Sequence, residues 1–388
     1  MTKNNSLEEE SEPEDETDLS DFEANSSSVH PLHLYDEDEF VDISSLSEAR
    51  VVKGGDQRSM EPNDWVTVMK KIDFYRSKLT KARCLHDDMP FPARYIIFSL
   101  IILVNMAQHH DCWVRTSTLR LSLPKETEFT LPDLSVEERD FFDRLVMSED
   151  VKDVEAKTRN EQHAKKLVES ILDAVTSPDK DDASEVEHMF RNIVPLIDAT
   201  MRSMRIKDSG EQTLNASAVR RNKGRDSADR ARMGYRVDIQ VEFRDLHWQP
   251  TVGCGEISGG LPRCSLAKEW TDTLKLWLEI RDTWAMAQEE LEGIDASNLV
   301  IWGFTVVGRK LRIYSLAAAG GLFHLVLVYE ATIPSSLSDF CNIEIAYRTM
   351  LGFVEKLKMT SKMLVDLNRK LAIVRRNDNG SKDTRAVR

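Results

Sequence analysis

Cysteine is scarce in this chain, and the few present do not pair by pattern. Five of them (Cys84, Cys112, Cys254, Cys264 and Cys341) are scattered over 388 residues without a Cys-x-x-Cys. That excludes a zinc ribbon and a disulfide framework and points to a reducing compartment. A long hydrophobic run is also missing. The most apolar stretch, Tyr95–Ala107, has 13 residues and includes Ser99 and Asn105, whereas a membrane span needs roughly 20. It reads as a buried helix. The N-terminus, MTKNNSLEEESE, is acidic where a signal peptide is basic and then apolar. The expectation is an intracellular protein, cytoplasmic or nuclear, not secreted and without a membrane partner.

An excess of basic charge is absent as well. Residues 1–50 hold 16 acids against Lys3 and Arg50, a net of −14, which equals the net charge of the whole chain. The remainder balances, so bulk charge argues neither for nor against a nucleic-acid partner. The acidic segment itself, residues 1–60, has too few apolar residues to offset the entropy of ordering and is expected to be a disordered tail. Its one mixed island, VHPLHLYDEDEFVDIS, suits a segment that docks on a protein partner or a plain solvated tail.

Periodicity orders the rest. Residues 61–183 read as a helical region, with apolar spacing in WVTVMKKIDFYRSKL and a charged helical stretch over 135–173. His109-His110-Asp111-Cys112 looks like metal-ligand chemistry, but adjacent helical positions point about 100° apart and do not easily share an ion. Ser184 and Glu187 have capping-box spacing at the head of SEVEHMFRNIVPLIDATMRSM. Strand-like alternation follows in VDIQVEF and a second strand covers 251–257. A long helix spans 266–291 after Gly259-Gly260-Leu261-Pro262. Three apolar runs broken at Gly308-Arg309 and Gly320-Gly321 then form an antiparallel meander. A helix over 337–374 closes the fold and residues 376–388 form a disordered tail. The fold class is α/β (α+β): a mixed sheet of about five strands with flanking helices. The basic run Arg220, Arg221, Lys223, Arg225, Arg230, Arg232 reads equally as a phosphate grip or nuclear signal and as a solvated loop, since Asp226 and Asp229 interrupt it.

Two carboxylates stand out in this order: Asp238 in the first strand and Glu256 at the end of the second, with Glu185 and Glu187 on the preceding helix. Hard divalent ions such as Mg²⁺ take a few carboxylate oxygens and keep room for water and phosphate. Acids on neighbouring strand ends and a packed helix can supply that, and a nearby lysine would stabilise developing charge.

The run SEVEHMFRNIVPL, then RVD, then GCGEISGG, resembles a group of fungal proteins whose central domain is similar to the PD-(D/E)XK nuclease superfamily. The resemblance covers about residues 184–335, with 336–375 as a C-terminal helix packed on that core. It implies a restriction-endonuclease-like sheet and, in active members, Mg²⁺-dependent phosphodiester hydrolysis. Asp238 matches the motif aspartate, Glu256 the second acid, and Glu185 or Glu187 the helix acid. The resemblance therefore implies Glu187, Asp238 and Glu256 as metal ligands and Asp238, Glu256 and Lys268 as catalytic residues. The lysine two residues after the second acid is replaced by Ser258. A lysine could come instead from the following helix, where Lys268 and Lys275 are the candidates. Because Ser258 carries no charge, the sequence favours a catalytically silent binding or scaffolding protein that holds no cofactor. The alternative is a Mg²⁺-dependent nuclease acting on DNA or RNA.

Overall fold

A computed structural model describes residues 101–105, 124–202, 206–207, 212–226, 230–262, 264–319 and 322–385. The expectations for the acidic tail, for the helix beginning near Trp65 and for the His109–Cys112 cluster lie outside the described residues.

In chain order the elements are β1 (Ile101–Asn105), α1 (Val136–Met147), α2 (Arg159–Thr176), α3 (Glu185–His188), a π-turn (Met189–Ile193), α4 (Val194–Met201), β2 (Ile206–Lys207), β3 (Gln212–Thr213), α5 (Asn215–Asn222), β4 (Arg236–Val237), β5 (Ile239–Glu242), β6 (Thr251–Ser258), α6 (Leu266–Glu290), β7 (Val300–Val307), β8 (Lys310–Ala319), β9 (Leu322–Thr332) and α7 (Asn342–Arg385). The sheet runs β1-β9-β8-β7-β6-β5-β2, and β3 pairs with β4 in a separate ladder. The five strands expected from the sequence, β5 to β9, form its centre, and β1 and β2 extend its edges. β6 and β7 are parallel, with α6 as the connection between them, and β1 is parallel to β9; β7-β8-β9 is the expected antiparallel meander.

Local chemistry explains most of these boundaries. Capping boxes start α1 at Ser135–Glu138, α2 at Thr158–Glu161 and α3 at Ser184–Glu187, each satisfying helix-end N–H groups that have no intrahelical partner. The helical stretch expected over 135–173 is thus divided between α1 and α2. Ser265 caps α6 by accepting from the Lys268 N–H at 3.2 Å. Along α7, Phe353, Leu357, Leu364, Leu367 and Leu371 follow at spacings of four, seven, three and four, which keeps them on one helix face, and are buried. The helix runs to Arg385, past the end expected at 374.

Two elements differ from the sequence reading. Within the apolar run Tyr95–Ala107, expected as a helix, Ile101–Asn105 is a strand. A short continuous apolar run carries no period that separates strand from buried helix, and here Ile101, Ile102 and Val104 bring β-branched stiffness. The strand expected to run through VDIQVEF is split at Asp238. The Asp238 carboxylate accepts the Ile257 N–H at 2.8 Å, a side-chain bond that takes the place of a ladder bond at that position.

Helices cover both faces of the sheet. A Cβ at Gly303 would meet Leu276 and Ile280 of α6, and one at Gly253 would meet Leu357 and Phe353 of α7. Trp277, Trp302, Phe304 and Phe353 are among the largest fully buried side chains, and Phe304 packs edge-on against Phe353 with centroids 5.4 Å apart. Gly255 lies on the α7 side, where a Cβ would run into the Phe304 ring. Gly255→Ala should therefore cost about 1–3 kcal/mol, the usual penalty for overpacking. A lowered urea midpoint with an unchanged slope would check this, and an unchanged midpoint would contradict it.

Candidate functional site

Strand register assembles the site. Ile239 pairs with Gly255 across β5 and β6, so Asp238 and Glu256 occupy the next, neighbouring positions. Glu256 in turn pairs with Thr305, Thr305 with Arg312, and Arg312 with Glu330. A single polar row therefore crosses the sheet on the face covered by α6. The helix answers it with a polar stripe: Lys268, Asp272, Lys275 and Glu279 recur at spacings of four, three and four, which places them on one side of a 3.6-residue helix.

The closest pairing is central. Lys275 Nζ donates to Glu256 Oε2 at 2.8 Å, and Glu256 is 1% exposed. The other carboxyl oxygen, Oε1, accepts from no N–H or hydroxyl group among the described residues, but the Glu279 carboxyl hydrogen-bonds with Glu256. Burial and then the charge of Asp238 push the Glu256 carboxyl up to about 8, against the pull of Lys275. Glu279, fully buried on α6, faces Glu256, and burial followed by that neighbour drives its carboxyl well above the usual range. Burial also raises Asp238, opposed by its bond from Ile257 and by Lys275. For Lys275, burial works against the charge, but Glu256 and Glu279 outweigh it and the ammonium is held more firmly than usual.

Toward the surface the cluster continues with Glu185. Its Oε2 accepts the Gly259 N–H at 2.8 Å, just past the end of β6, and lies 3.2 Å from Lys268 Nζ. Lys268 also sits 3.3 Å from Asp272. The Glu185 and Lys268 side chains are 40% and 44% exposed, so the cluster has a wet mouth and a dry floor. His188, one turn on from Glu185, holds α3 against the β7–β8 turn through a 2.7 Å bond between its Nε2 and the Gly308 carbonyl.

The sequence-derived site is thus partly assembled. Asp238 and Glu256 are neighbours. Glu187, expected as the helix ligand, has a different role: its carboxylate accepts the Ser184 N–H at 3.0 Å and it lies 3.7 Å from Arg191, half exposed. The helix acid turned toward the strands is Glu185. Lys268, expected as the catalytic lysine, pairs with Glu185 and Asp272, whereas Lys275 reaches Glu256. Ser258 is fully buried two residues after Glu256 with no partner for its hydroxyl among the described residues. Asp272 and Glu279 were not singled out from the sequence, although the charged stripe Lys268-Asp272-Lys275-Glu279 recurs at helical spacing. The basic run near 220 is tied down locally: Arg220 pairs with Asp282 at 2.8 Å, Arg221 donates to the Met233 carbonyl, and Lys223 pairs with Glu289 at 2.7 Å. It serves to fasten α5 to α6.

Among the described residues, no three His, Cys, Asp or Glu side chains converge as a ready metal cage, and no helix is long and apolar enough to cross a membrane. Comparison of the chain with protein-family models, with curated proteins and with solved structures finds no match.

The raised Glu256 carboxyl fixes a sign for pH dependence. With a folded value near 8 against an ordinary 4.5, the folded state holds a proton that the unfolded state has released. This group's contribution is complete below about 4.5 and is lost as pH rises toward 8. In metal-free buffer the unfolding free energy should fall across that window, and the fall should be smaller in Glu256→Gln. An identical pH slope in both proteins, followed by urea unfolding, would contradict the assignment.

Proposed function

We propose that the cluster is the active site of a Mg²⁺-dependent phosphodiesterase acting on nucleic acid, with Lys275 in place of the lysine that Ser258 lacks. The observation that carries this reading is the Lys275–Glu256 contact at 2.8 Å. It puts an ammonium group beside the second motif acid, and the absent charge was the main argument for a silent fold.

The donor set fits a hard cation. Five carboxyl groups (Glu185, Asp238, Glu256, Asp272 and Glu279) face two ammonium groups, Lys268 and Lys275. Mg²⁺ needs only one or two protein carboxylates, with water and substrate phosphate completing its shell, so the lack of a three-acid cage does not count against it. Asp238 and Glu256 would hold the ion. When bound it supplies Lewis-acid charge to a phosphoryl oxygen and acidifies water.

The chain's own groups set the remaining conditions. Lys275 carries a fixed positive charge into a largely buried setting, where it stabilises negative charge developing on the phosphate more than it would in water. The bond from Ile257 to Asp238 and that from Gly259 to Glu185 tie both acids to the end of β6, which limits their reorganisation during reaction. Lys268, at the exposed mouth, neutralises part of the acid excess that would otherwise repel a phosphate. A second reading, the silent binding fold, is favoured by one observation: Glu256 is almost fully enclosed and already paired, so the cluster can close on itself as a structural ion network.

The test is cleavage of single- and double-stranded DNA and RNA in Mg²⁺ or Mn²⁺. Activity should fall at least about 100-fold in Asp238→Asn, Glu256→Gln and Lys275→Met, the usual scale for losing charge stabilisation in a catalytic site. Lys268→Ala should cost less. In the Lys275→Met background, Ser258→Lys should recover part of the rate by returning a cation to the same face of β6. No metal-dependent cleavage by the intact protein, with calorimetry detecting no metal, would leave the silent fold as the better reading.

A further inference from the structure

One arrangement occurs twice along α6. Lys268 and Asp272, four residues apart, share a helix face, and one heptad later Lys275 and Glu279 repeat the pair. Each lysine also meets an acid from outside the helix. Lys275 donates to Glu256 of β6 at 2.8 Å, with Glu279 also acting on it. Lys268 lies 3.2 Å from Glu185 of α3 and 3.3 Å from Asp272. The inner set is enclosed. The outer set is wet, with the side chains of Glu185 and Lys268 40% and 44% exposed, and an ion pair so exposed adds little to stability. The outer acids still belong to the same electrostatic cluster, since Glu185 and Asp272 both act on Asp238.

We propose that the Lys268 ammonium is a built-in substitute for a second divalent cation: it fills the place between Glu185 and Asp272, so that the centre takes one metal ion, at Asp238 and Glu256, and no second. The inference rests on the phosphodiesterase reading and fixes how many ions that site uses. Phosphodiester hydrolysis can be served by two ions that clamp the attacking and leaving oxygens, and five carboxyl groups have oxygens enough for both. Charge decides how many enter. Without Lys268, the Glu185 and Asp272 carboxylates would match the charge of one divalent ion. With it, a single net negative charge is left, and one oxygen of each acid already faces the ammonium. The place is held from both sides. Glu185 Oε2 also accepts the Gly259 N–H at 2.8 Å, and Lys268 and Asp272 stand on adjacent turns of α6. Unlike an ion, the lysine neither dissociates nor yields to a chelator.

The experiment counts Mn²⁺ bound to the full chain, from the loss of the free-ion electron paramagnetic resonance signal, with no substrate present. The intact protein should bind one ion per chain. Lys268→Ala and Lys268→Ser should each bind two, a doubling, and Lys268→Arg, which keeps the charge, should bind one. The added ion should be lost again when Lys268→Ala is combined with Asp272→Asn. Two small replacements, each checked for a native circular dichroism spectrum, prevent a folding defect in either from deciding the result. Equal counts in the intact protein and the two variants would overturn the proposal. Two ions in the intact protein would do the same, as would an added ion that persists in the double variant. The count also separates this inference from the reading beneath it. One ion in the intact protein and in both variants removes the inference and leaves the phosphodiesterase. No ion in the intact protein, with one gained in both variants, supports the place held by Lys268 and removes the metal-dependent reading alone.

Discussion

The arrangement depends on one enclosed contact between an ammonium and a carboxyl group. Glu256 and Lys275 meet where α6 lies on the sheet, and removing the carboxyl would leave the ammonium in a medium that solvates it poorly. Burying such a charge costs several kcal/mol, and a hydrogen-bonding partner offsets that only when the geometry is held firmly. Here the holding is done by apolar neighbours: Leu276, Trp277 and Ile280 are buried beside the charged stripe. The pair therefore acts as an index for the helix. A rotation of one residue would turn Lys275 away from the sheet and carry an apolar side chain over Glu256, so register, rotation and charge balance are fixed together.

A second ion network shares the same interface. Arg312 bonds Glu269 of α6 at 2.6 Å and Glu330 of β9 at 2.8 Å. It lies in the same cross-strand row as Glu256, two strands away. Between them the two networks pin α6 at separated points along its length, and the acids are presented on a rigid base. Such support suits a site that must not rearrange when charge develops within it.

Much of this was legible from the sequence. β6 to β9 followed from apolar runs broken by Gly308 and the Gly259–Pro262 turn, and α6 from its length and from the turn before it. That Asp238 and Glu256 would be neighbours followed from two consecutive strands joined by a short loop. Other features depended on three-dimensional choices. Glu185 and Glu187 are two residues apart on a helix, so which one faces the strands is decided by the angle at which that helix enters; the capping box took Glu187. Lys268 and Lys275 share a helix face, and only the height of α6 above β6 determines which lysine meets Glu256. Asp272 and Glu279 went unnoticed because charged residues on a helix usually mark its solvated side, whereas this stripe faces the sheet. β1 was hidden in a run too uniformly apolar to show any period.

β1 closes the open side of a long strand. β9 is eleven residues long, and its partner on that side comes from more than 200 positions earlier in the chain. Five consecutive residues, Phe323 to Leu327, are covered by that pairing. An uncovered apolar edge of this length is a template for any other extended chain. In folding terms, the contact is among the most distant in sequence that the described residues make, and contacts of that kind form late. Until it forms, the same edge is open to a second molecule as readily as to its own partner, so crowding during synthesis is where this fold is most exposed to error.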